Sequence, residues 1–183
     1  MRLSWLAALG LILSVAPAVS QPYDPAARMA AQRHAMERLS FMDGVWRGPA
    51  WRMSAAGREE YVQTERVGPF LGGGVRVVEG RGYRPSDGSV AFNALGVLSF
   101  DPATDRYTLQ TWAQGSSGSF PLQLREGGVV VWEIPAGPGT IIRHTATIRD
   151  GRWHEVGERI VGGAPPVQVT ELDLRRVDDT SWP

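Results

Sequence analysis

The sequence predicts an all-β domain preceded by one short helix. After residue 44, segments rich in β-branched and aromatic residues alternate with turn residues, at a spacing of roughly 8–12 residues. No long helical pattern separates these segments, which argues against parallel strands joined by crossover helices. A chain of this kind forms an antiparallel sandwich or barrel.

The helix is predicted at about residues 25–39. Asp24 can accept hydrogen bonds from free backbone amides, and Pro25 presets the backbone angle of the first helical residue. The following residues are mostly good helix formers. Gly44 marks the end of helical structure, so this segment is short and stands apart from the strands.

Each predicted strand is bounded by clusters of Gly, Pro, Asp or Ser, the residues that form turns. Gly48 and Pro49 interrupt the first strand and predict a bulge there. The predicted strands are residues 45–53, 59–67, 75–83, 90–100, 107–114, 120–125, 129–134, 140–149, 152–161 and 167–177.

One hairpin can be predicted residue by residue. Asp150-Gly151 lies between two alternating runs, which is the strongest short-range hairpin signal. A two-residue loop pairs Arg149 with Arg152, and residues directly opposite each other share a face. The more apolar face is expected to point inward. It carries Ile142, His144, Ala146, Ile148, Trp153, Glu155 and Arg159.

Several stretches resemble a bacterial lipocalin-like family of the calycin superfamily, catalogued as a domain of unknown function. These stretches read FMDGVWRG, FLGGG, ALGVLSFDPATDRYTLQTW, WHEVGERI and TELDLRR, within about residues 39–177. The resemblance implies an antiparallel meander barrel of about eight to ten strands, with the N-terminal helix capping one end. Families of this fold differ in activity, so the fold alone does not define a function.

The resemblance also implies three structural residues. Gly44 lets the chain turn tightly into the barrel, and the indole of Trp46 plugs the closed end. In such barrels an arginine of the last strand lies across that indole. Arg175 and Arg176 are both available, and Arg176 is preferred because it shares parity with Leu172 and Leu174.

The predicted function is binding of a small, mostly apolar molecule inside the barrel. His144, Glu155 and Arg159 could orient a carboxylate or phenol. Two alternatives stay open: a small enzyme that uses His144 and Glu155 as an acid–base pair, and a scaffold whose polar groups satisfy one another in a filled core. The candidate ligand-binding residues are His144, Glu155, Arg159, Tyr107, Trp132 and Trp153.

No cofactor or metal is predicted. The chain has three histidines, and the hairpin register places His144 and His154 on opposite faces, so they cannot share one ion. A haem held by a single histidine stays an alternative, because some related barrels hold haem in that way. The glycines at 72–74 lack the Lys-Ser/Thr pair of a phosphate loop and predict a bending loop at the barrel mouth.

Residues 1–20 predict a signal peptide cleaved after Ser20, and therefore a periplasmic or secreted protein. No later segment is long and apolar enough to span a membrane. The absence of cysteine excludes disulfides and a lipid-modified cysteine. Nineteen basic and 19 acidic residues balance, which argues against a nucleic-acid partner. The predicted organisation is signal peptide 1–20, helical segment 21–40, barrel 41–177 and tail 178–183.

Overall fold

The computed structural model describes residues 24–182, and its first element is helix α1, Pro25–Glu37. The Asp24 carboxylate accepts hydrogen bonds from the amides of Ala26 and Ala27 at 2.9 and 3.1 Å, as expected of a helix N-cap. The predicted signal peptide, residues 1–20, lies outside the described residues. In the described part of the chain, no helix has the length and apolar character needed to cross a membrane.

Ten strands follow a short 3₁₀ turn at Ser40–Met42, and each corresponds to a predicted strand. Their bounds are β1 (Gly44–Ser54), β2 (Gly57–Phe70), β3 (Val75–Tyr83), β4 (Val90–Asp101), β5 (Arg106–Ala113), β6 (Ser116–Arg125), β7 (Val129–Pro135), β8 (Thr140–Arg149), β9 (Arg152–Val161) and β10 (Val167–Asp178).

Every strand pairs antiparallel with its neighbour in sequence, and β10 pairs with β1 to close the ring. At this closure Trp46 lies opposite Arg176, and Ala50 lies opposite Leu172. The predicted all-β meander barrel with one N-terminal helix is therefore confirmed. Closure leaves no strand edge unpaired, which is the main advantage of a barrel over an open sheet.

The β8–β9 hairpin has the predicted register. Arg149 pairs with Arg152, and His144 pairs with Gly157. Asp150 has φ 53° and Gly151 has φ 70°, the left-handed angles that a two-residue hairpin turn requires. This register fixes which side chains of the two strands point into the barrel.

Helix α1 covers the end of the barrel at which β1 begins, which we call the base. Trp46 is only 2% exposed there, and its indole N–H donates to the Met42 carbonyl at 2.9 Å. Its ring meets Trp153 edge to face at 5.8 Å. Met36 of α1 is fully buried against the same cluster. The opposite end, formed by the turns at 54–57, 83–90, 113–116, 135–140 and 161–167, is the mouth.

Three local expectations are wrong. The glycines at 72–74 lie at the base and not at the mouth, because β2 runs antiparallel to β1 and finishes where β1 begins. A Cβ at Gly74 would contact Gln32 of α1. Strand β1 pairs with β2 without a break through Gly48 and Pro49, and the register shift against β10 falls between Val45 and Trp46. Residues 116–119, which lie outside the predicted strand at 120–125, belong to β6.

Candidate functional site

The barrel encloses a cavity of about 410 Å³. Much of its deeper wall is apolar and buried, with Leu98, Leu109 and Leu122 among the lining residues. Toward the mouth the wall includes Phe92 and Ile134, which are partly exposed. A cavity of this size and character can hold one small, mostly apolar molecule.

A polar cluster from β8 and β9 forms one part of the cavity wall. The Nδ1 atom of His144 lies 3.0 Å from Oε1 of Glu155. The Trp153 indole N–H donates to the other carboxylate oxygen at 3.2 Å. Glu155 is only 7% exposed, so both of its oxygens find partners inside the protein. Such pairing lowers the cost of burying a carboxyl group.

The imidazole of His144 is held in place by its neighbours. The Trp132 ring stacks on it with a centroid distance of 4.9 Å and an interplanar angle of 4°. Gly157 lies opposite, and a Cβ at this position would lie 3.2 Å from His144 Cε1 and 2.2 Å from Thr170 Cγ2. The glycine therefore provides the space that His144 and Thr170 occupy.

A second polar cluster lies on β2. The side-chain amide of Gln63 donates to Glu65 Oε1 at 2.6 Å, and the two residues are only 2% and 8% exposed. Gly80 and Gly82 of β3 pair with Glu65 and Gln63, respectively. A Cβ at Gly80 would lie 2.9 Å from both Glu65 carboxyl oxygens. The two glycines therefore make room for polar side chains against the wall.

Burial raises the pKa of Glu65 to about 8. The hydrogen bond from Gln63 acts in the opposite direction, while the negative fields of Glu155 and Glu79 raise the pKa further. Near neutral pH this carboxyl group therefore holds its proton and is uncharged. Burial likewise raises the pKa of Tyr61, which lies four residues before Glu65 on the same face of β2.

Arg52 is the arginine in the cavity lining, and it lies near the mouth. Its guanidinium pairs with Glu59 at 2.9 Å and lies over the Phe92 ring at 6.0 Å. The positive charge of Arg52 is therefore balanced by Glu59 at the mouth, and the guanidinium does not contact the deeper part of the cavity wall.

Four of the six candidate ligand-binding residues line the cavity: Trp132, His144, Trp153 and Glu155. Tyr107 and Arg159 do not. Tyr107 is buried at the base, where its hydroxyl donates to the Ala35 carbonyl of α1 at 2.8 Å. Arg159 has inward parity, but it pairs with Ile142 near the mouth and is exposed. Both lie on the expected face, but Tyr107 lies below the cavity and Arg159 lies beyond it toward the mouth.

The predicted structural residues lie together at the base. Gly44 has φ 139°, and a Cβ there would lie 2.5 Å from Arg176 Nε. The Arg176 guanidinium donates to Asp179 at 2.9 Å and is substantially exposed. The buried arginine at this end is Arg76, which donates to Asp43 at 2.8 Å and to the Met36 carbonyl. It joins β3 to the helical segment.

Sequence reasoning missed Gln63, Glu65 and Arg76. The alternation of β2 carried a usable signal, since Tyr61 and Val67 are apolar at the same parity as Gln63 and Glu65. For metal binding, residues 24–182 contain no group of three or more His, Asp or Glu side chains close enough to hold an ion. His154 lies on the outer face, where its Nε2 is 3.0 Å from Glu171 Oε1.

The fold and the cavity define a small antiparallel barrel with an internal pocket. No protein-family model matches the chain, and no curated protein matches it significantly. Among solved structures it is similar to Rv2717c from M. tuberculosis, with a TM-score of 0.59 and 15% sequence identity, over 78% of this chain and 97% of the other. This similarity is consistent with a lipocalin-like fold and is a statement about the fold alone.

Proposed function

We propose that this protein binds one small, mostly apolar molecule inside its barrel. The observation that carries the proposal is the cavity of about 410 Å³, whose wall is mainly aliphatic and aromatic with a few polar groups. The motif resemblance to the lipocalin-like bacterial family supports the fold that encloses this cavity and our proposal that the chain belongs to that family. A scaffold with a filled core predicts no such cavity, so the cavity argues against that alternative.

The proposal includes export to the periplasm or the medium. It is supported by the signal-peptide pattern of residues 1–20. Cell fractionation followed by N-terminal sequencing of the mature chain tests it, and an intact N-terminus in the cytoplasm would contradict it.

Binding can be measured with the neutral fluorescent probe N-phenyl-1-naphthylamine. We expect saturable binding with one site per chain. Thr111 lines the cavity and Gln110, next to it on β5, is exposed on the outer face. Thr111→Phe should therefore weaken binding at least about tenfold by occupying the cavity, whereas Gln110→Phe should leave it unchanged.

Two outcomes would contradict this function. One is the absence of saturable probe binding to the folded protein. The other is equal affinity in both phenylalanine variants, which would place the probe outside the barrel. Mass spectrometry of small molecules extracted from the purified protein then identifies the natural ligand class.

Acid–base catalysis is the second candidate, and it rests on the 3.0 Å contact between His144 Nδ1 and Glu155 Oε1 at the cavity wall. If the purified protein turns over any substrate, His144→Ala should abolish that turnover while the protein stays folded. His154→Ala, on the outer face, is the matched control and should leave turnover unchanged. Undiminished turnover in the His144 variant would end this hypothesis.

A further inference from the structure

The charged groups around the cavity are distributed unevenly. Two carboxyl groups, Glu65 and Glu155, line its deeper part. The arginine in the lining, Arg52, lies near the mouth and is paired with Glu59. An anionic ligand such as a fatty acid would therefore find no arginine in the deeper part of the lining, and at the rim a guanidinium already paired with Glu59. This distribution opposes the carboxylate ligand that an inward Arg159 would have favoured.

The two deep carboxyl groups differ in their partners. Glu155 is saturated, since His144 and Trp153 each contact one of its oxygens. Glu65 accepts its hydrogen bond from the neutral amide of Gln63, and no cation among residues 24–182 is paired with it. Glu65 is therefore the acidic group of the cavity that still has room for a positively charged partner.

Gln63 gives a second, independent indication. Its side chain is 2% exposed, and its amide oxygen has no hydrogen-bond partner among the described residues. Leaving a buried acceptor without a donor destabilises the protein. A ligand that brings N–H donors to this part of the wall recovers that cost.

The aromatic rings nearby favour the same kind of ligand. Tyr61 and Trp153 line the cavity close to the two carboxyl groups. The faces of aromatic rings attract cations, most strongly where water is excluded. Acidic groups combined with aromatic rings are the chemistry by which proteins recognise organic cations.

We propose that the molecule bound in the cavity is an organic ammonium ion, whose charged end donates to Glu65 and Gln63 while its apolar part fills the cavity. This inference rests on the proposed function. The amine N–H groups donate to a carboxylate oxygen of Glu65 and to the amide oxygen of Gln63. No covalent bond is made or broken, and the proton that leaves the Glu65 carboxyl group goes to solvent.

Ammonium binding should therefore depend on pH. The charged groups that act on Glu65 are Glu155 of β9 and Glu79 of β3. The titratable groups beside them are Tyr61, on the same face of β2, and His144 of β8, which contacts Glu155. Because the free carboxyl group has a pKa of about 8, an arriving cation must displace its proton at lower pH. The affinity should rise about tenfold per pH unit up to about pH 8 and level off above it.

The test compares octylamine, 1-octanol and octanoate as competitors of the neutral probe. We expect octylamine to displace it at the lowest concentration near pH 8, with the predicted pH dependence, and octanol to show no such dependence. Glu65→Gln should abolish the pH dependence of octylamine binding. Glu133→Gln, an exposed acid paired with Arg143 on the outer face, should keep it.

Three results would overturn the inference. The first is octanol or octanoate displacing the probe as well as octylamine does. The second is a pH dependence that survives Glu65→Gln, which would assign the titration to another group. The third is failure of all three competitors while the probe still binds. If the probe itself does not bind, the proposed function falls as well.

Circular dichroism checks that the Glu65→Gln protein is folded. If it is not, Gln63→Met provides the second route, because it removes the amide oxygen and retains the carboxyl group. That variant should weaken octylamine binding more than octanol binding, because octanol brings a single uncharged donor, and equal effects on both compounds would overturn the inference.

Discussion

At the residue scale, Glu65 shows how a buried acid is accommodated without a cation. Gly80 provides its space, and Gln63 provides its one hydrogen bond. A buried carboxylate without a positive partner is costly, so the carboxyl group keeps its proton instead. Glu65 is therefore a neutral carboxyl group near neutral pH, and under our proposal a cation that enters the cavity would cause it to ionise.

The raised pKa of Glu65 predicts a pH-dependent stability. The pKa is 4.5 in an unperturbed glutamate and about 8 in the folded protein, so between these values the folded chain holds a proton that the unfolded chain releases. Stability conferred by this group is complete below about pH 4.5 and falls by up to about 1.4 kcal/mol per pH unit as the pH rises toward 8.

Glu65→Gln should remove this loss of stability, because glutamine does not ionise. Urea unfolding of both proteins near pH 5 and near pH 8 measures it, and the variant should gain relative to the parent at the higher pH. A difference in free energy of unfolding that is the same at both pH values would show that Glu65 has no raised pKa.

At the element scale, closure of the barrel depends on the approach of β1 to β10. A Cβ at Gly48 would lie 2.1 Å from the carbonyl oxygen of Asp173, a backbone atom that cannot move alone. Gly48→Ala should therefore destabilise the protein by about 1–3 kcal/mol, by forcing the two strands apart. Chemical unfolding measures the change.

Gly163→Ala is the matched control for this substitution. Gly163 lies between β9 and β10, and no atom lies within 4 Å of the position its Cβ would take. The control should stay close to the parent in stability. Equal stability of both alanine variants would show that the β1–β10 contact tolerates a side chain at position 48.

Elements were predictable from sequence where the pattern is local. Asp150-Gly151 determines its own hairpin, because the left-handed angles it adopts allow one register. The start of β6 was missed because its serines and Gly118 resemble a loop. In the structure, Gln114 and Gly115 with φ 49° and 79° form the whole turn, and pairing with β5 makes the following residues a strand.

At the scale of the whole molecule, the candidate site was predictable in part. The parity of β8 and β9 indicated which side chains face inward, and His144 and Glu155 do so. The height of each residue along the barrel axis depends on the stagger of all ten strands, and the sequence of one strand does not determine that stagger. Tyr107 is therefore at the base and Arg159 near the mouth. The place of Glu65 depends on Gly80, a residue from another strand.

The seal that Trp46 and Met42 form beneath the cavity makes the barrel a blind-ended vessel. A ligand would enter and leave through the mouth, and under the proposed ammonium chemistry its charged group must enter first to reach Glu65 and Glu155. Its apolar chain then points toward the mouth and can extend into water. Under this proposal the barrel would select ligands by their charged group and would accept apolar chains of different lengths.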